Sequence, residues 1–417
     1  MTGDATVSTH DDAGSDTSPP AASLNHLPKL DGVRALAILA VMFYHANWLQ
    51  CGWAGVQAFF VLSGFLITRI LLKSKERWRS AADSAGRTGL AEYFGAFYWR
   101  RALRIFPLYY AFIVGLAVIF MATGHPAQLK TDLPWLLSYT INIERIFPGY
   151  HSAATHSHLW SLAVEEQFYL IWPAVIWLLP KAPFRRLVWG LILAGPLLRL
   201  TAGCLSGLLW HDPLHAGEVV YNLLSSHADA FAAGAAVSMG EKFFVSRPLR
   251  KLVWAVIATA VAGAWMLFHL RALGHVGFVS LGYPHNMPWS YQYVWGYSLL
   301  NLTFALLIAV LLQPYSAASR DPFRFLELPA ITYLGRISYG LYIFHNPAQV
   351  LVARLAHIPD YTPLSIPAFL LSAAVTVAIA ALSFHFMESW FLKFKDRQPW
   401  SIPGFAPGLP AKDAVGG

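Results

Sequence analysis

Residues 158–180 read HLWSLAVEEQFYLIWPAVIWLLP, a run of mostly apolar and aromatic side chains broken near its start by two adjacent carboxylates, Glu165 and Glu166. About 20 such residues in a helix cross a ~30 Å hydrocarbon core, so the run is long enough to span a membrane. An ionisable side chain in a span costs about 2.5–3.5 kcal/mol on insertion scales, so each one needs a reason. If one of the pair turns toward the membrane edge, the other points about 100° away, into the bundle.

The rest of the chain agrees with a membrane setting. Of 417 residues, 56% are apolar, 15% aromatic and only 12% charged. Mean hydropathy is +0.46. Thirty Lys and Arg with 22 Asp and Glu cannot cover a soluble protein of this size. The composition excludes an ordinary globule, a disordered chain and a disulfide scaffold. It leaves an all-α, polytopic bundle of transmembrane helices whose first partner is the lipid bilayer. The formal charge of +8 then serves orientation, and no nucleic-acid partner is expected. Cys51 and Cys204 read as small buried hydrophobes.

Working outward, apolar runs fall at about 33–50, 53–72, 104–123, 158–180, 186–210, 217–239, 252–272, 293–313, 329–355 and 364–388, which predicts ten spans. The stretch 133–148 is shorter and punctuated by Pro134, Glu144 and Pro148, so it is expected to be re-entrant or interfacial. Loops on one side carry fifteen Lys and Arg, with Lys393, Lys395 and Arg397 after the last span; the other side has Lys130 and Arg145. This positive-inside bias places both termini in the cytoplasm. Residues 1–28 form a polar tail without the basic start of a secretory signal, residues 29–397 the membrane domain, and residues 398–417 a Pro/Gly-rich tail.

Three groups of polar residues stand out. Arg34 and His45 are eleven positions apart in the first span, on nearly one face and about 16 Å apart along the axis; a snorkelling arginine with an interfacial histidine has the same spacing. Arg101 and Arg104 are i,i+3 neighbours at the entrance of the third span, where paired guanidiniums suit a phosphate-bearing ligand or lipid headgroups. Glu165 shares the outer half of the membrane with His45, and a buried carboxylate can orient a histidine. His151, His156 and His158 share a loop but lack the Cys or carboxylate partners of a metal site, so no metal is expected. Ser63 and Gly64, inside Phe59–Phe65, mark close helix packing. His227, Asp229 and His345 are further polar groups within spans, each able to line a cavity or satisfy a neighbouring helix.

Five ordered blocks resemble the acyltransferase-3 family of membrane O-acyltransferases. They are Leu30-Asp31-Gly32-Val33-Arg34 running to His45, Phe59 to Ile67, Arg101 to Pro107, Trp160 to Tyr169, and Gly335 to His345. The resemblance covers about Leu30 to Glu388. It implies transfer of an acyl group, often acetyl, from cytoplasmic acyl-CoA to a hydroxyl of a glycan, glycolipid or small molecule, in a bacterial inner membrane. Acyl-CoA is then a substrate, and no tightly bound cofactor is expected. Arg34 and His45 match the family's Arg/His pair, and Arg101 and Arg104 its CoA-associated arginines. His227-Ala228-Asp229 stands where Arg-Leu-Asp is common, and Asn346-Pro347 follows the late histidine. No appended soluble domain of the kind some relatives carry is expected, and the chemistry is expected to finish within the membrane domain. The expected mechanism has His45 as general base, Glu165 orienting it, and Arg34, Arg101 and Arg104 on the CoA phosphates. Ser63, Glu166, Tyr169, Tyr342 and His345 are candidate cavity residues. Direct transfer and a transient acyl-histidine both fit. The rival class is a transporter that exports a glycan or lipid precursor unmodified, although no inverted repeat is evident.

Overall fold

The computed structural model describes residues 27–84, 89–124, 126–150, 153–272, 274, 278–287, 289–314, 321–359, 362–395 and 397. The tail expected at 398–417 and most of the one at 1–28 lie outside them. Among the described residues every regular element is helical. The chain starts as α1 (Pro28–His45), with proline in the first turn, where its missing N–H costs no hydrogen bond. A short turn leads to α2 (Ala54–Ser84), then α3 (Leu90–Ala122), α4 (Pro126–Leu137) and the one-turn α5 (Ile141–Glu144). The quoted stretch becomes α6 (Trp160–Leu178), followed by α7 (Lys181–Trp210). Next come α8 (Pro213–Asn222), α9 (Ala228–Ser238), α10 (Lys242–Val245), α11 (Pro248–Ala272) and α12 (Gln292–Leu311). The chain closes with α13 (Pro329–Arg336), α14 (Ser338–Leu355), α15 (Ile366–Ser383), a π-helical turn at Phe384–Glu388 and α16 (Ser389–Leu392).

Six segments among the described residues are long and apolar enough to cross a membrane: Gln50–Ser80, Leu90–Ala122, Lys181–Trp210, Pro248–Ala272, Gln292–Leu311 and Ile366–Leu392. Four of the ten expected spans differ from these in a consistent way. α1 and α6 are short and carry ionisable residues. The run 217–239 is α8 and α9, broken by a turn at Leu224–His227, and 329–355 is α13 and α14, broken at Ile337. Polar or broken backbone is tolerated at membrane depth where it faces protein or a cavity. By contrast, the most apolar windows of α7 and α11 are each only 22% buried and that of α15 28%, which leaves their apolar faces to lipid. At 12 residues α4 covers about 18 Å, too short to cross. The Tyr109 hydroxyl ties it to α3 by donating to Leu136 O at 2.8 Å.

The centre is set by the crossing of α2 and α9. A Cβ on Gly64 would collide with the Phe231 carbonyl, and one on Gly234 with that of Val61. The two backbones therefore touch, as small residues allow between membrane helices. Lys75 of α2 donates to Ile176 O at 2.6 Å and Leu179 O at 2.7 Å, a cation on the unsatisfied carbonyls that end α6. A fully buried ion pair joins α7 to α9, with Arg199 Nη1 and Nη2 at 2.9 and 3.0 Å from the two oxygens of Asp229. Ser298 and Asn301 of α12 also donate to Asp229. His227 accepts from Gln57 and donates to Tyr221 O. Both polar groups of the His227-Ala228-Asp229 stretch are thus satisfied by neighbouring helices. Cys51 is half-buried and Cys204 exposed, so neither is the buried hydrophobe expected.

Candidate active site

α1 carries Arg34 at one end and His45 at the other, and each faces its own cavity. The arginine cleft is lined by Arg34, Arg101, Arg104, Glu165, Glu166 and Tyr169, together with Ser63 and Tyr339. α3 presents Arg101 and Arg104 one turn apart on the same side, as the i,i+3 spacing predicts. Arg101 lies over the Tyr169 ring at 3.8 Å, a cation–π contact, and its buried Nε has no hydrogen-bond partner. Arg104 makes no hydrogen bond among the described residues and remains exposed to the cleft. Arg34 is paired with Asp31 at 3.3 Å, while Arg101 and Arg104 keep donors that no hydrogen bond uses, and such guanidiniums suit an anion.

The histidine cavity has a volume of about 150 Å³ and is lined by His45, His158, His285, Tyr44, Tyr221 and Arg145 among others. His45 Nδ1 lies 3.0 Å from Val41 O, and 3.2 Å from Nε2 of His345. His345 Nδ1 lies 2.7 Å from Tyr342 O and 3.2 Å from Leu341 O. Carbonyl oxygens only accept, so both Nδ1 atoms carry the proton. His345 Nε2 then accepts from His45, and His45 Nε2 keeps its lone pair. That is the tautomer a general base requires. His345 is fully buried and is not among the residues that line the cavity; it touches His45 from behind. Beside His45, whose ring centroid is 4.9 Å from that of Tyr44, the Tyr44 hydroxyl meets His285 Nδ1 at 2.7 Å, and His285 Nε2 is 3.7 Å from Glu218.

The two cavities meet at Val56 and Tyr342, which line both. The Tyr342 hydroxyl donates to His158 O at 2.9 Å and accepts from Ser161 at 2.5 Å. The cleft is thus separated from the histidines by one side-chain layer.

One expected contact is replaced. Glu165 does not support His45; its carboxylate accepts from Ser63 and Tyr169 and lines the arginine cleft. The residue of that helix entry beside His45 is His158, with ring centroids 6.3 Å apart. Glu165 follows it by seven residues, about 10 Å further along the axis. Arg34, Arg101, Arg104, Ser63, Glu166 and Tyr169 are brought together as one set, with Tyr342 at the seam. His156 bonds to Asp132 and His158 to Ile343 O, so they point apart; His151 lies outside the described residues. Among the described residues no three His, Cys, Asp or Glu side chains gather as a metal site. Tyr44, Arg145, Tyr221 and His285 were not anticipated. The first adjoins His45 in sequence, and the others come from separate segments with no shared period.

The sequence model of one family, described as an acyltransferase domain, matches residues 27–385. The chain is 29% identical over 411 residues to the peptidoglycan O-acetyltransferase OatA of Listeria monocytogenes, covering 90% of this chain and 58% of that protein. It is 26% identical to the O-acetyltransferase OatA of Staphylococcus aureus, covering 88% of this chain and 57% of that protein. The chain therefore spans somewhat over half the length of these relatives. No solved structure matches.

Proposed function

Because the chain belongs to the acyltransferase-3 family, we propose that it moves an acetyl group from cytoplasmic acetyl-CoA to a hydroxyl of an envelope glycan across the membrane. The observation that carries this reading is the meeting of two unlike cavities at Val56 and Tyr342. One offers three guanidiniums for phosphates; the other offers a histidine with an unprotonated Nε2. In this reading Arg34, Arg101 and Arg104 hold the CoA phosphates, and the acyl-bearing arm follows α1 for the ~16 Å to His45. His45 Nε2 takes the proton of the acceptor hydroxyl as its oxygen attacks the thioester carbonyl. The new C–O bond forms, the C–S bond breaks, and the proton passes from His45 to the departing sulfur. His345 holds the ring through Nδ1, the place first assigned to Glu165. Transfer is direct.

The six apolar helices and the four polar or broken ones together make ten crossings, with both ends cytoplasmic. The charge bias of the loops supports that orientation. The bacterial relatives support an inner-membrane location, and the name of the Listeria relative supports peptidoglycan as the glycan. The test is release of CoA from acetyl-CoA by purified protein in lipid nanodiscs, with and without soluble peptidoglycan fragments, alongside His45→Ala. The expected result is fragment-dependent release and acetylated product, reduced about 10²–10⁴-fold in the variant. Full activity in His45→Ala would remove the base assignment. No release with any acyl donor or acceptor would return the chain to the transporter class.

A further inference from the structure

A third cavity lies beside the histidine cavity. Its volume is about 410 Å³, and Asp132, Glu144, Phe147 and Tyr150 are among its lining residues. α5 joins the two: Glu144 faces the third cavity, while the next residue, Arg145, lines the histidine cavity. Arg145 donates from Nε to Asn222 at 2.9 Å and from Nη1 to Ser157 O at 3.0 Å. Just beyond, His156 Nε2 bonds Asp132 at 2.6 Å. Glu144 and Arg145 thus place the two cavities on either side of one helical turn.

Size separates their roles. Sites that bury most of a small ligand are about 300–1,000 Å³. The histidine cavity, at about 150 Å³, takes a hydroxyl-bearing arm but not the sugar chain behind it. The third cavity falls within that range. Its chemistry suits a carbohydrate. Phe147 is 51% exposed and offers a ring face. Asp132 is already paired, whereas the Glu144 side chain is 7% exposed and its Oε2 has no hydrogen-bond partner. A buried carboxyl oxygen without a partner is costly, and rotation of the Glu144 carboxyl toward the cavity it lines gives that oxygen a ligand hydroxyl as partner. Burial and the neighbouring Asp132 push the Glu144 carboxyl up to about 7, so near neutral pH it both accepts from and donates to hydroxyls.

We infer that this cavity is the glycan subsite, in which Glu144 and Phe147 hold the sugar chain while one hydroxyl reaches His45 next door. The inference rests on the transferase reading above and adds to it the place where the acceptor binds. Two measurements separate their failures: equilibrium binding of soluble peptidoglycan fragments to nanodisc-embedded protein without donor, and steady-state transfer. Glu144→Met keeps the side-chain length and removes both carboxyl oxygens; Phe147→Ala removes the ring at an exposed site and guards against a folding defect in the first variant. Each is expected to weaken fragment binding about tenfold and to raise the fragment KM alike, with kcat and the acetyl-CoA KM unchanged. His45→Ala is expected to bind fragments normally and transfer nothing. Wild-type affinity in both cavity variants overturns the subsite and leaves the transferase intact, as does active wild-type protein that binds no fragment. Fragment binding weakened by both variants, in protein that never releases CoA, keeps the glycan site and overturns the transferase.

Discussion

In the arginine cleft, side chains answer side chains: Glu165 accepts from Ser63 and Tyr169, and Arg101 lies over the Tyr169 ring. Around His45 the three clustered rings are held by backbone instead, while His285 of the same cavity is held by side chains, the Tyr44 hydroxyl and Glu218. Val41 O holds His45, Tyr342 O holds His345 and Ile343 O holds His158. Side-chain partners re-pair when one is removed, whereas a carbonyl in a helix stays where the helix puts it. The cleft thus has the adaptability that the proposed charged and flexible donor would need. The histidine cavity is a fixed mount that selects one tautomer.

The largest effects should separate the two. His345→Ala removes the acceptor behind His45 and is expected to lower kcat about 10–100-fold, the cost of losing a group that orients a functional histidine. The pH profile of kcat should shift, and the acetyl-CoA KM should hold. His345→Gln, whose amide oxygen can still accept, should recover part of the loss. Arg104→Ala should do the reverse, raising the acetyl-CoA KM about tenfold or more, as a charged hydrogen bond worth about 1.5–3 kcal/mol implies, with little change in kcat. If the two variants exchange signatures under steady-state kinetics, the assignment of cavities to donor and acceptor chemistry is wrong.

Glu165→Gln sharpens the comparison with a smaller effect. Glutamine keeps hydrogen bonds to Ser63 and Tyr169 while removing a negative charge that faces the arginines. The acetyl-CoA KM should therefore fall, by less than about tenfold. The pH profile of kcat should stay as in the wild type. A shifted profile with a large loss of kcat would restore the carboxylate–histidine pair that the sequence suggested.

That suggestion shows what can be read from a linear chain. Arg34 and His45 share one helix, so a 3.6-residue period is enough to place them on one side and about 16 Å apart. Arg101 and Arg104 are legible for the same reason, and all four are conspicuous as charged or ionisable groups in apolar surroundings. Pairing between helices is another matter. Glu165 and His158 belong to the same helix entry, and nothing in the sequence says which of them lies level with His45. His285 comes from a connection without periodicity, and Arg145 from a single turn. The count of spans was affected by the same property that revealed the site. α1 and α6 are polar because they border the cavities, and α8–α9 and α13–α14 are broken, so length and hydropathy recover the long unbroken apolar helices, whether they face lipid as α7 and α11 do or are mostly buried as α2 is. Asp229 marks the limit of the charge rule: it is as conspicuous as Arg34, yet the structure pairs it with Arg199, in a buried network that stitches α7, α9 and α12.

The smallest effect is expected at the seam. Tyr342 is the side chain that, with Val56, belongs to both cavities, and its hydroxyl is latched by Ser161 and the His158 carbonyl. Tyr342→Phe keeps the ring and deletes the latch. Ser161 still donates to the His158 carbonyl at 3.4 Å, so the loss is about 1 kcal/mol and should appear as a slightly lowered thermal midpoint. Transfer to a glycan should change little, because neither the arginines nor His45 has moved. What should change is leakage: a ring no longer latched leaves the seam open even when no glycan is bound, so the thioester meets water beside His45 and acceptor-independent CoA release should rise above the wild-type rate. Tyr342→Ala, which removes the ring, should raise it further. If both variants hydrolyse acetyl-CoA no faster than the wild type, the ring is not the partition. The thioester would then be guarded elsewhere, and Tyr342 would be only a tie between α14 and α6.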